Sequence, residues 1–259
     1  MPEAAAARES DLAADLERIE SALAAAAALL AGFTPGEVAA RRKAGDDPVT
    51  EADTAVDALL RRTLPRPDEG WLSEETTDGA ERLGRRRVWV VDPLDGTREF
   101  VAGIPEWSVS VGLVVDGEPV AGGVLNPATG ERVVGARGHG VRLDGRPVEV
   151  VRRERLAGAL VLASRSEVAR GQWQPFAGAG FTIRPVGSVA YKLALVAAGR
   201  ADATWTLVPK HEWDVAAGVA LVLAAGGGVR VGRPAEARFN RPEPLLTRLL
   251  AAHPALLPD

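Results

Sequence analysis

The chain has 259 residues, 46% of them hydrophobic and 25% charged, with a formal net charge of −4 and no cysteine. That length allows a sizeable core in one large domain or two modest ones. The acidic balance argues against a broad nucleic-acid or anionic-membrane surface, and the lack of cysteine excludes disulfides, thiolate nucleophiles and Cys-ligated metals.

The opening "MPEAAAARES" has no basic segment of the kind that starts a signal peptide, and "ALAAAAALLAG" is too short and alanine-rich to span a membrane. A cytoplasmic protein is expected. Leu12, Leu16, Ile19, Leu23 and Leu30 recur at helical spacing and predict a helix over 9–31 with Ser10 as its cap. A loop through "RRKAGDDP" (41–48) leads to a second amphipathic helix in "VTEADTAVDALLRRTL" (49–64), with Val56, Leu59 and Leu60 inward and Pro65 as its stop. Strand-like runs follow at 70–74, 86–92 and 107–117 and through 119–145, and Asp-Gly pairs at 116–117 and 144–145 predict hairpins. From residue 159 the pattern alternates. Strands are expected at 159–164, 181–186, 202–207 and 228–231, and helices at 188–199, 214–226 and, late, 243–252. The charged, strand-poor stretch 146–156 suggests a boundary dividing 1–150 from 151–259.

Acidic residues gather at the ends of these elements. "WVVDPLDGTREF" (89–100) places Asp92 and Asp95 around Pro93 at the mouth of a strand, and Gly96 permits a tight turn before Thr97 opens a helix. Taken singly, each aspartate reads as a turn or capping residue. However, "LSEE" (72–75) adds Glu74 and Glu75, "VTEAD" (49–53) adds Asp53, and "EWDVAAG" (212–218) adds Asp214. These are four acidic clusters with no cationic cluster beside them. If they converge they need a counter-charge, and hard divalent cations with oxygen ligands provide one.

The order and spacing of "PVTEAD", "SEE", "DPLDGTREF", "WSVSVGLVVDGEPVAGGVLNPATGE" and "WDVAAG" resemble the inositol monophosphatase superfamily of Mg²⁺-dependent, lithium-sensitive phosphatases, over nearly the whole chain. "DPLDGTREF" and "ASRSE" look most like its 3'(2'),5'-bisphosphate nucleotidase branch. The resemblance implies a layered αβαβα sugar-phosphatase fold of the α/β (α+β) class, with an antiparallel N-terminal sheet and a smaller C-terminal α/β part. It also implies two or three Mg²⁺ ions, replaceable by Mn²⁺, held by Glu74, Asp92, the Leu94 carbonyl, Asp95 and Asp214. Asp53 and Thr97, with Glu74, would prepare the attacking water. The Gly96 and Thr97 amides would hold the phosphate, a role that free amides at a helix start also favour on physical grounds.

Substrate contacts are expected from the C-terminal half. Lys210 and Arg165 are each read either as partners of a second phosphate or as solvated loop residues. Ser188 is expected to cap helix 188–199 beside the substrate, leaving Gly187 open to a sugar or base. Inositol-selective relatives carry a glutamate where this chain has Leu207. The chain is therefore read as a phosphomonoester hydrolase converting 3'-phosphoadenosine 5'-phosphate to AMP and phosphate. The alternatives are an inositol or other sugar or polyol phosphatase, histidinol phosphate included, and, in a different class, a non-catalytic regulatory relative. Three histidines and no cysteine serve a covalent phosphohistidine or phosphocysteine route poorly, and the three-residue spacing of Asp92 and Asp95 argues against an aspartyl-phosphate route. The expected partner is a small phosphate ester, with no nucleic acid and no membrane. A homodimer is an option, since members of the family often form one.

Overall fold

The computed structural model describes residues 2–42 and 48–258, so 43–47 of the "RRKAGDDP" loop lie outside the described residues. Helix α1 (Pro2–Leu30) precedes a small antiparallel pair, β1 (Ala40–Arg42) and β2 (Pro48–Thr50), and helix α2 (Glu51–Thr63). Helix α1 starts earlier than the apolar spacing suggests, so Ser10 lies inside it and is not its cap. Helix α2 is capped by Thr50, whose hydroxyl accepts from the Ala52 amide while Asp53 reaches back to the Thr50 amide.

Strands β3 (Gly70–Ser73) and β4 (Arg87–Asp95) pair in parallel, and the short helix α3 (Thr97–Val101) follows. An antiparallel meander continues through β5 (Ser108–Val115), β6 (Glu118–Leu125), β7 (Arg132–Ala136), β8 (Gly140–Leu143) and β9 (Arg146–Val148), giving a seven-stranded sheet in sequence order. Both expected Asp-Gly hairpins form. Asp116 and Gly117 between β5 and β6, and Asp144 and Gly145 between β8 and β9, all take positive φ, as a tight turn that follows the strand twist requires.

The second half contains β10 (Leu160–Ser164), α4 (Arg165–Ala169), β11 (Thr182–Val186), α5 (Val189–Ala197), β12 (Ala203–Trp205), β13 (Lys210–His211), α6 (Glu212–Ala224), β14 (Gly228–Val231), β15 (Leu245–Leu246) and β16 (Leu249–Ala252). Five of these strands form a mixed sheet in the order β11-β10-β12-β16-β14, and β13 pairs with β15. The expected helix at 243–252 is thus two strands. Leu249–Ala252 fills the gap between β12 and β14, where pairing on both edges outweighs the helical propensity of Leu and Ala.

Strand alternation sorts the core into layers. Trp89 and Val91 of β4 face α1 and α2, packing with Ile19, Leu23, Val56 and Leu60. Val88 and Val90 face the opposite way, toward α5, α6 and the inner face of the second sheet at Leu162 and Ala251. Trp173 and Val168 cover the outer face of that sheet. The order is therefore αβαβα, as the resemblance implied. Each fully buried Val or Leu contributes roughly 1.5–3 kcal/mol. The small residues of "WDVAAG" have a packing cause: a Cβ on Gly122 would lie 2.5 Å from the Ala217 carbonyl oxygen, and one on Gly112 2.8 Å from the Ala217 amide. Helix α6 therefore lies backbone-to-backbone on the paired glycines of β5 and β6, and this contact fixes where its N-terminus, bearing Asp214, meets the end of β4.

Candidate active site

At the C-terminal end of β4, Glu74, Asp92 and Asp214 present carboxylate oxygens that all lie within 4.8 Å of one another. They come from the bend after β3, the end of β4 and the first turn of α6. The walls of a cleft of about 530 Å³ include all three together with Leu94, Asp95, Gly96 and Thr97. Asp92 is fully buried; burial and then the charges of Glu74, Asp95 and Asp214 hold its carboxyl well above the usual range, against the Leu94 amide, which donates to it at 3.0 Å. Asp214 is pushed up to about 7 by burial and by Asp95 and Glu74, with Lys210 acting against the rise. Three crowded acids at the focus of a cleft form a hard-oxygen donor set whose repulsion a divalent cation relieves, so these residues fit Mg²⁺.

Asp95 lines the same cleft, outside that triad. Its Oδ2 accepts from Ser188 Oγ and from the Ala190 amide, both at 2.6 Å. Ser188 caps α5 as expected, accepting from the Tyr191 amide at 2.9 Å, and holds a φ of 51° to do so. The Thr97 hydroxyl is 2.9 Å from Asp53 Oδ1 and 3.0 Å from the Leu94 carbonyl oxygen, so its single proton serves both acceptors. Asp53 Oδ2 in turn accepts from the Thr50 amide at 2.8 Å. Gly96 caps α3 with φ 97°, a left-handed conformation that glycine adopts without strain.

The substrate wall departs from expectation at two positions. Arg165 is not among the cleft-lining residues: its guanidinium is bound by Glu106, which also accepts from the Gly187 amide at 2.8 Å. Gly187 lines the cleft, but the space beside its Cα is filled by the chain itself, since a Cβ there would meet the Glu106 carbonyl oxygen at 2.4 Å and Glu99 Cγ at 2.5 Å. Lys210 does line the cleft, as do His211 and Trp213, whose rings stack at 4.3 Å. Trp89 and Trp107 are buried in the core.

Sequence reasoning passed over Lys192, Glu99 and Arg170, all of which line the cleft. Lys192 Nζ donates to the carbonyls of Ser188 at 2.8 Å and Val186 at 3.3 Å; burial pushes it down to about 8, with Asp95 opposing. A lone lysine in the apolar run "YKLALVAAG" was the available signal. Glu99 is raised by burial first, and Lys192 and Arg165 counter the rise.

An αβαβα frame that brings carboxylates to a strand end beside a Thr–Asp pair is the arrangement that the resemblance to metal-dependent phosphatases implied. The chain matches the Inositol monophosphatase family over residues 12–254 and belongs to it; it is a metal-dependent phosphomonoester hydrolase of a family that is generally Mg²⁺-dependent. It is 38% identical over 195 residues to the inositol-1-monophosphatase of Rhizobium meliloti (strain 1021), covering 70% of this chain and 71% of that protein. It is 35% identical over 207 residues to the Nus factor SuhB of Pseudomonas aeruginosa, covering 73% and 74%. The solved inositol monophosphatase from Anabaena (Nostoc) sp. PCC 7120 superposes with a TM-score of 0.74 at 29% identity, covering 95% of this chain and 92% of that one. Among the described residues, no helix is long and apolar enough to cross a membrane.

Proposed function

We propose that the chain hydrolyses a small hydroxylated phosphate monoester, of the inositol monophosphate kind, using Mg²⁺ held by Glu74, Asp92, the Leu94 carbonyl, Asp95 and Asp214. The observation that carries this reading is the convergence of Glu74, Asp92 and Asp214 within 4.8 Å beside the Asp53–Thr97 pair. Activation of the attacking water and neutralisation of the phosphoryl oxygens are the chemistry that bound Mg²⁺ supplies. Asp53 orients Thr97 and takes up, through its hydroxyl, the proton released at the attacking oxygen. The Gly96 and Thr97 amides receive the phosphate, which the start of α3 favours electrostatically. Residues 1–150 supply most of the acidic site, while 151–259 supply Asp214 and the substrate wall.

The relative with 38% identity supports the polyol reading. A second reading, hydrolysis of a 3'(2'),5'-bisphosphate nucleotide, is favoured by Lys210 and Arg170 on the cleft wall and by apolar Leu207 at the position where inositol-selective enzymes carry an acid. The test is phosphate release with Mg²⁺ from inositol 1-phosphate, 3'-phosphoadenosine 5'-phosphate, fructose 1,6-bisphosphate and histidinol phosphate. Preference for the first supports the polyol reading and preference for the second the nucleotidase. Inactivity on all four, with Mg²⁺ and with Mn²⁺, overturns the proposal.

A further inference from the structure

Helix α2 carries two buried carboxylates four residues apart, Asp53 and Asp57, a spacing that puts both on one face. Asp53 is committed to Thr97. Asp57 has no place in the proposed chemistry, yet both of its oxygens are engaged by one short segment: Oδ1 accepts from Ser73 Oγ at 2.5 Å and Oδ2 from Thr76 Oγ1 at 2.6 Å. Those two hydroxyls bracket Glu74 and Glu75. Three further hydrogen bonds at this bend are longer. The Glu74 amide reaches the Val91 carbonyl at 3.4 Å, the Glu75 amide reaches Ser73 Oγ at 3.4 Å, and Trp71 Nε1 reaches Thr76 Oγ1 at 3.4 Å. Short hydroxyl–carboxylate bonds are roughly twice as strong as neutral ones, so Asp57 supplies the main restraint among these contacts.

The bend needs such a restraint. Glu74 sits within 4.8 Å of two other carboxylates, and like charges that close in a partly dry cleft drive the segment outward. We infer that Asp57 is a positioning residue for the metal centre: by gripping Ser73 and Thr76 it keeps Glu74 at ligating distance from Asp92 and Asp214, and so sets the affinity for the divalent cation. The inference rests on the metal reading of the site. It makes α2 the element that aligns both halves of the chemistry, Thr97 through Asp53 and Glu74 through Asp57.

The experiment is a Mg²⁺ titration of the full chain followed by thermal unfolding, with steady-state kinetics alongside. Wild type is expected to show a saturable rise in Tm. Asp57→Ala is expected to need about tenfold more Mg²⁺ for half of that rise, while kcat at saturating Mg²⁺ stays within about threefold of wild type. Thr76→Val keeps the shape and removes one donor, and is expected to need about threefold more. A lower metal-free Tm with an unchanged Mg²⁺ midpoint in both variants would show a purely stabilising role and overturn the inference. If Asp57→Ala does not fold, Thr76→Val decides alone, an unchanged midpoint again overturning it. A wild type that neither gains stability from Mg²⁺ nor releases phosphate overturns the metal reading and this inference together.

Discussion

Strand β4 runs between two groups of charged residues that solve the same problem in opposite ways. At its start, Arg87 donates through Nε to Glu69 at 2.9 Å and through Nη2 to Asp15 at 2.7 Å, while Arg18 reaches Glu69 at 2.5 Å and lies over the Trp89 ring at 4.8 Å. Trp89 Nε1 and the Arg66 amide complete the shell of Glu69, each at 2.9 Å. Burial works against the Glu69 anion, but Arg18, Trp89, Arg66 and Arg87 together bring it down to about 2. At the other end of the strand, burial and mutual repulsion push Asp92 and Asp214 upward. Two acids matched by two arginines form a closed network that serves the fold. Acids crowded against each other are a standing cost to the fold, which a bound divalent cation would offset. The sign of the perturbation thus separates an internally neutralised cluster from one that could take up a cation within nine residues of the same strand.

The largest effect should come from breaking the open end. Asp95→Asn is expected to lower kcat/KM by more than about 10³-fold with far-UV circular dichroism unchanged, because in the proposed site the Asp95 carboxylate would hold an ion, while Asn keeps an oxygen for Ser188 and the Ala190 amide. Near-normal turnover would remove Asp95 from the metal site. Breaking the closed end should instead cost stability and spare the chemistry. A carboxyl depressed from 4.5 to about 2 contributes stability that is complete above its unfolded value and is lost as pH falls through the folded one. Glu69→Gln should therefore cost about 3 kcal/mol at pH 7 in denaturant melts, with the difference from wild type shrinking between pH 4.5 and pH 2. A gap independent of pH would mean that the charge is not what matters. The smallest effect sharpens the contrast. Asp92→Asn removes one repelling charge, so in the presence of a chelator at pH 8 it should raise Tm by about 2–4 °C, a gain near 1 kcal/mol. Added Mg²⁺ should then fail to raise Tm further. An unchanged chelated Tm would argue that the repulsion is already relaxed in the metal-free protein.

The open end was the more legible of the two. Its acids sit at element boundaries marked by Pro93, Gly96 and the helix start in "VTEAD", and local turn chemistry of that kind is written in adjacent residues. The closed end carries no such mark. Asp15 and Arg18 read as the polar face of a helix and Arg87 as a strand flank, because nothing nearby in the chain announces that the three meet Glu69. Asp57 was hidden for the same reason, since its partners lie 16 and 19 residues away. Arg165 was left open between two readings because nothing beside "SRSE" announces Glu106, 59 residues earlier, which binds its guanidinium.

By itself, then, the sequence determined the alternation of strands, the two Asp-Gly hairpins, the cap at Ser188 and the acidic character of the site, all products of backbone preference and side-chain period over a few residues. Tertiary structure alone decided which acids converge, which charges are neutralised internally, and that Leu249–Ala252 is a strand. Each of those outcomes depends on the energy of contacts between segments remote in sequence, and that energy exists only once the layers have packed.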